Sequence, residues 1–148
     1  MSLISVSTDV DRSAEDVFAY ATDPTLFHEW QQGVVDGRME GAPKVGARCM
    51  TTLRIGGADR ASSSEVAHFD PPRTWGVRGL DGPIRAVVDV TVEPVAADRS
   101  RLTINVDFEG HGVGKLLVPL LVRPQARKEM PNNLAALKQR LEHRQATP

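Results

Sequence analysis

Between residues 36 and 110 the chain is interrupted at short intervals by turn-forming stretches, 41–46, 56–59, 70–72 and 81–83, each built on Gly, Pro or Asp. None of the intervals is long enough for a crossover helix, so each strand must run antiparallel to the one before it. This spacing removes the parallel α/β architectures and leaves an antiparallel meander.

The clearest strands are 84–93 and 101–109. Ile84, Ala86, Val88, Val90 and Val92 share one face, as do Leu102, Ile104, Val106 and Phe108, with charged residues opposite. Pairing Val92 with Leu102 sets Glu93 against Arg101 and Arg85 against Glu109, both favourable cross-strand pairs. A slip of two residues one way opposes Asp89 with Asp107. The opposite slip pairs Glu93 with Arg99 and Arg85 with Asp107, and stands as a second register. Either way the sheet is apolar on one face and covers something on that side only. The strand at 47–55 is less decided. Arg48, Met50, Thr52 and Arg54 share one face and Cys49, Thr51, Leu53 and Ile55 the other, so the pattern leaves open which face turns inward.

Ahead of the meander, Ile4, Val6, Thr8 and Val10 alternate with polar residues as a half-buried strand does. Ser13 is placed as an N-cap, with Glu15 and Asp16 in the first turn and Ala14, Val17, Phe18 and Ala21 on one helical stripe. Pro24 ends this helix by Asp23 and opens a second short one carrying Leu26, Phe27 and Trp30. After the meander, Met130, Leu134, Leu137 and Leu141 form a helical stripe, extended backwards by Val113, Leu116, Leu117, Leu120 and Leu121. Pro119, Pro124 and Pro131 lie in this span and each removes a backbone donor, which predicts a long helix kinked or broken near 119–124 and firm from Gln125.

At 148 residues the chain fits a single domain over 1–148, with an ordered core at about 3–142 and a polar tail that frays. A formal charge of −1, with the two signs interspersed, offers no field for nucleic acid. The lone cysteine, Cys49, permits no intrachain disulfide and gives no zinc spacing. The apolar run around 116–122 is far too short to span a bilayer, so no stable membrane insertion is expected. Leu3 and Ile4 lead into a strand pattern in place of an export signal, which points to a cytoplasmic protein.

The order of strand, two short helices, six-stranded meander and long C-terminal helix is itself specific. Together with VDRSAEDVFAYATDPTLFHEW, FDPPRTW and NLAALKQRLE in their places, the chain resembles the polyketide cyclase/dehydrase branch of the START-like (SRPBCC) superfamily, from Ile4 to Glu142. The resemblance implies an α+β helix-grip fold: a curved seven-stranded antiparallel sheet wrapped around the C-terminal helix, with a hydrophobic cavity between them. It also implies that the first strand lies beside the last and that the two short helices plug the gap in the sheet. The loops 81–83 and 110–114 would stand near the entrance as a gate. On that scaffold the corner of Leu26, Phe27 and Trp30 closes one end of the groove. Whether its aromatics face a cavity or cap a filled core stays open at this point.

Other constellations are weaker. His28, His68, His111 and His143 match no ligand spacing, and Glu65 and His68, three apart, should point to opposite faces of a strand. Asp9 and Asp11 share a face without a third ligand, so no metal site is expected. Cys49 reads as a small hydrophobe and 62–64 as exposed hydroxyls without a nucleophile elbow. Arg123, Arg127, Lys128, Lys138, Arg140 and Arg144 make the last helix basic, a solvated face or a contact for anionic lipid or a partner.

These readings favour a protein that binds a small hydrophobic or amphipathic molecule, such as a lipid, polyketide or isoprenoid-like compound, in an internal cavity without a cofactor. The lining candidates are Phe27, Trp30, Trp75, Val88, Val90, Ile104, Val106, Phe108, Leu117, Leu120 and Leu121. If Arg48 or Arg54 points inward, the ligand carries a carboxylate, enolate or phenolate; if both point out, the pocket is almost wholly apolar. One alternative is a cyclase/aromatase acting on a poly-β-ketone, for which His28, Glu65 or an inward arginine are the only acid–base candidates. A second is a protein-interaction module with an exposed apolar patch. Catalytic residues and oligomeric state are not legible.

Overall fold

The first strand pattern becomes β1 (Ile4–Val10), with Ile4 and Val10 buried. The computed structural model describes residues 3–55 and 57–144; the tail residues 145–148 lie outside them. Ser13 caps α1 (Ala14–Ala21) by accepting a hydrogen bond from the Asp16 amide at 3.2 Å. Asp23 then caps a 3-10 helix, Pro24–Glu29, through the Thr25 amide. The meander follows as β2 (Val34–Glu40), β3 (Arg48–Ile55), β4 (Ala58–Asp70), β5 (Thr74–Gly79), β6 (Ile84–Ala96) and β7 (Arg99–Gly110).

All seven strands form one antiparallel sheet in the order β1-β7-β6-β5-β4-β3-β2. Of the two registers open for the last hairpin, the structure takes the first: Val92 faces Leu102, Glu93 faces Arg101 and Arg85 faces Glu109. The first strand lies beside the last, Ile4 opposite Val106 and Val10 opposite Ser100. Asp9, at the outer end of this pair, receives the Arg101 guanidinium at 2.8 Å, and that hydrogen bond holds its carboxyl below the usual range.

The sheet grips a helix of 30 residues. It runs as α2 (Gly114–Leu117), a π-helical stretch Val118–Val122, and α3 (Arg123–His143). Near Pro119 and Pro124 the helix is not broken; the irregularity expected there takes the form of the π-helical stretch. The wider π turn shifts the hydrogen-bond partners by one residue, which accommodates the donor that Pro119 lacks without stopping the helix. Met130, Leu134, Leu137 and Leu141 are the buried stripe of α3.

Two local devices fix the helix in the cup. At its start, a Cβ on Gly114 would sit 1.8 Å from the Pro83 carbonyl oxygen, so only glycine lets α2 approach the β5–β6 turn this closely. At its end, the half-buried Arg12 donates to the carbonyls of Leu141 at 2.6 Å and Arg144 at 2.8 Å, and pairs with Asp16. One side chain after β1 thus serves the carbonyls at the helix end, that of Leu141 alongside the Arg144 amide at 3.3 Å.

One expectation about strand parity is corrected. The register shifts between Val66 and His68, where Ala67 bulges out of the β4–β5 ladder. That extra residue resets the alternation, so His68 stands on the same outer face as Glu65. Its partner is not Glu65. His68 Nε2 reaches Asp89 Oδ1 at 2.6 Å over Gly76, the β5 residue paired with both.

Candidate functional site

Between the concave face of the sheet and α3 lies a cavity of about 230 Å³. Its walls follow from strand alternation. β6 contributes Ile84, Ala86, Val88 and Val90, and β7 contributes Ile104 and Val106, the two apolar faces already visible in the sequence. β5 adds Trp75, Val77 and Gly79. β3 turns Cys49, Thr51 and Leu53 inward, which settles the undecided strand; Arg48 and Arg54 point out, and Arg54 pairs with Asp59 at 2.8 Å. Next to β3, β4 offers Ser62 and Ser64, and Ser62 is directly opposite Thr51. A row of hydroxyls therefore runs along one wall of an otherwise apolar chamber.

The corner at 24–30 closes one end, as its aromatic content suggested. Phe27 stands edge-on to Trp30, ring centroids 6.0 Å apart at 82°, and to Trp75, 6.2 Å apart at 72°. Such edge-to-face contacts stabilise aromatic clusters beyond simple burial. All three rings line the cavity, so both tryptophans of the chain border it. Asn133 of α3 lines the same end and accepts from the Gln32 amide at 3.1 Å, tying the helix to the corner beside Gln31.

The electrostatics are plain. Among the described residues the lining contains no Asp, Glu or His; Cys49 and Arg85 are its only titratable side chains. Burial holds the Cys49 thiol above its ordinary value, against a weaker opposing hydrogen bond from Ser64, so it stays protonated and inert at neutral pH. Arg85 is half-buried, and its Nε donates to the Gly82 carbonyl at 3.1 Å. His28 and Glu65 are exposed and away from the lining.

Of the expected lining residues, the structure gathers Phe27, Trp30, Trp75, Val88, Val90, Ile104 and Val106 around the cavity. Phe108 packs half-buried against the core outside it. Leu117, Leu120 and Leu121 do not reach it, and the last two face solvent. The reason is where the helix enters the cup. With Gly114 seated on the rim at Pro83, the first turns pass outside the concave face, and Val118 is the one buried residue of the π stretch. Met130 and Leu134, known from the sequence only as stripe residues, supply the helical wall instead. The loops 81–83 and 110–114 are bonded together, His111 N to the Pro83 carbonyl at 2.8 Å.

A family model described as polyketide cyclase/dehydrase and lipid transport matches residues 1–142. The chain belongs to this family. Its helix-grip fold recurs among START-like solved structures at low sequence identity. The aromatase/cyclase Zhui from Streptomyces sp. R1128 superposes with a TM-score of 0.80 at 13% identity, covering 97% of this chain and 94% of that one. A START superfamily protein from Mycobacterium smegmatis gives 0.69 at 16%, covering 95% and 94%. The di-domain ARO/CYC BexL from the BE-7585A biosynthetic pathway gives 0.76 at 16%; 96% of this chain corresponds to 47% of that protein, about half its length. No curated protein matches the sequence. These structures share the fold; among the described residues of this chain, no helix is long and apolar enough to cross a membrane.

Proposed function

We propose that the protein encloses a small apolar or amphipathic molecule between its sheet and α3. The observation that carries this reading is the chamber itself: both layers contribute apolar walls, yet the side chains leave about 230 Å³ unfilled. Core packing normally leaves few voids larger than a water molecule. An apolar hole of roughly 150 Å³ accepts benzene, and drug-sized ligands occupy roughly 300 Å³ or more. The room therefore suits one or two rings or a short acyl chain. Burial of apolar surface at about 25 cal/mol per Å² drives binding, and the hydroxyls of Thr51, Ser62 and Ser64 orient a carbonyl or hydroxyl of the ligand.

The tryptophans supply the test. Trp30 and Trp75 both border the chamber, so titration with naphthalene or 1-naphthol should change intrinsic fluorescence in a saturable way. The Val88→Phe variant, which takes up part of the chamber, should weaken the change. An unchanged spectrum with the folded wild-type protein, or equal responses from both proteins, would overturn the proposal.

Cyclase or aromatase activity on a poly-β-ketone is the second reading, favoured by the hydroxyl row, which can donate hydrogen bonds to substrate carbonyls. It lacks a carboxylate or imidazole in the lining to move protons.

A further inference from the structure

Eight large hydrophobic side chains are exposed among the described residues, and four of them fall within nine positions of one another: Val113, Leu116, Leu120 and Leu121, at 61–69% exposure. The other four are dispersed at Leu3, Val35, Val45 and Val95. Scattered apolar residues on a surface need no explanation, but a cluster on one helical segment does. The cluster occupies the beginning of the gripped helix, where α2 and the π stretch leave the cup.

The charge around it is equally one-sided. From Gly110 to Lys128 the chain carries no Asp or Glu, while Lys115, Arg123, Arg127 and Lys128 are all cationic. Arg123 is engaged by Asp107 at 3.3 Å; Lys115, Arg127 and Lys128 are exposed. The whole chain carries −1, so this segment concentrates positive charge against the general balance.

We infer that this segment is a docking surface for an anionic lipid bilayer. Leucines flanked by lysine and arginine are what an interfacial helix needs: the apolar side chains enter the headgroup boundary and the cations meet anionic lipid. A second copy of the chain is the less suitable occupant, because a two-fold interface would set each positive segment against itself. Nucleic acid would satisfy the cations but leave the leucines in water. The surface adjoins the proposed chamber: Gly114 rests on Pro83, and the next residues, Ile84 and Arg85, line the cavity. Docking would bring that rim to the membrane from which an amphipathic molecule enters or leaves, although the docking itself does not depend on what the chamber holds.

The test is flotation of the full chain with vesicles of phosphatidylcholine alone and of phosphatidylcholine mixed with phosphatidylserine. Binding is expected to the mixed vesicles only and to weaken as salt rises. Leu120→Asn with Leu121→Asn should reduce it by about tenfold or more, and Lys115→Glu with Lys128→Glu by a comparable factor. These side chains are exposed, so the variants should keep the wild-type circular dichroism and the wild-type response to naphthalene. Absence of binding to mixed vesicles overturns the proposal, as does equal binding to both vesicle types. A concentration-dependent dimer that Leu120→Asn with Leu121→Asn abolishes, without vesicle binding, would also overturn it and assign the face to a second copy.

Discussion

Leucines at 120, 134 and 137 belong to one apolar stripe by sequence, yet the structure gives them three different surroundings. Leu137 is fully buried and away from the cavity, Leu134 is buried beside it, and Leu120 is 69% exposed. Replacing each by alanine should separate them. The transfer part of a buried Leu→Ala change is about 2.4 kcal/mol, from ~0.8 kcal/mol per methylene. At Leu137 the hole has no existing void to merge with, so lost packing brings the total to about 3–5 kcal/mol. At Leu134 part of the side chain already borders empty space and touches nothing there, which lowers the expected cost to about 2–3 kcal/mol. At Leu120 the change should remain within about 0.5 kcal/mol. Urea denaturation followed by circular dichroism measures all three, and the melting temperature should fall by roughly 10 °C for Leu137→Ala. If Leu120→Ala costs as much as Leu137→Ala, the helix start is packed and the seat at Gly114 is wrong. If Leu134→Ala costs more than Leu137→Ala, there is no void beside it.

Three further outcomes follow from the geometry. Gly114→Ala should destabilise by about 1–3 kcal/mol, because its Cβ would meet the Pro83 carbonyl, a backbone atom that cannot swing aside; faster hydrogen exchange at the His111 amide would locate the damage. Arg12→Ala should cost about 2–3 kcal/mol through the two charge-assisted hydrogen bonds it removes from the helix end, with accelerated exchange confined to the last turn of α3, and uniform exchange along the helix would contradict the capping role. Burial raises the Cys49 thiol, so the unfolded chain gives up that proton first, and stability present below the ordinary thiol pKa should be lost as pH rises past it. Cys49→Ala should flatten that alkaline decline, and alkylation of native Cys49 should be far slower than in urea.

Much of the fold was legible because its signals are local. Turn spacing gave antiparallel strands, and the charges of Arg85, Glu93, Arg101 and Glu109 favoured the register that the hairpin adopts. The cavity was legible only where a strand is apolar on one face, as in β6 and β7. On β3 both faces are mixed, and the decision came from a contact distant in sequence, the closure of the cup over Cys49, Thr51 and Leu53. The helix misled for a related reason. Its apolar periodicity runs from Val113 to Leu141, but periodicity does not say where the sheet ends, so Leu120 and Leu121 looked equivalent to Leu134. The bulge at Ala67 carries no turn residue to announce it, and a single inserted position was enough to reverse the face of His68.

The placement of β1 at the sheet edge against β7 has a consequence for how the chain comes into being. Ser7 meets Thr103, 96 positions downstream, and Arg12 meets Leu141, 129 downstream. During synthesis the hairpins from β2 to β7 can zip up one after another as each emerges, while the first strand waits without a neighbour until nearly the whole polypeptide has left the ribosome. Closure of that last seam, with its large loop entropy, should set the pace of folding. Until it closes, the apolar side of the waiting strand is exposed to any chaperone, or any other nascent chain, that can pair with it.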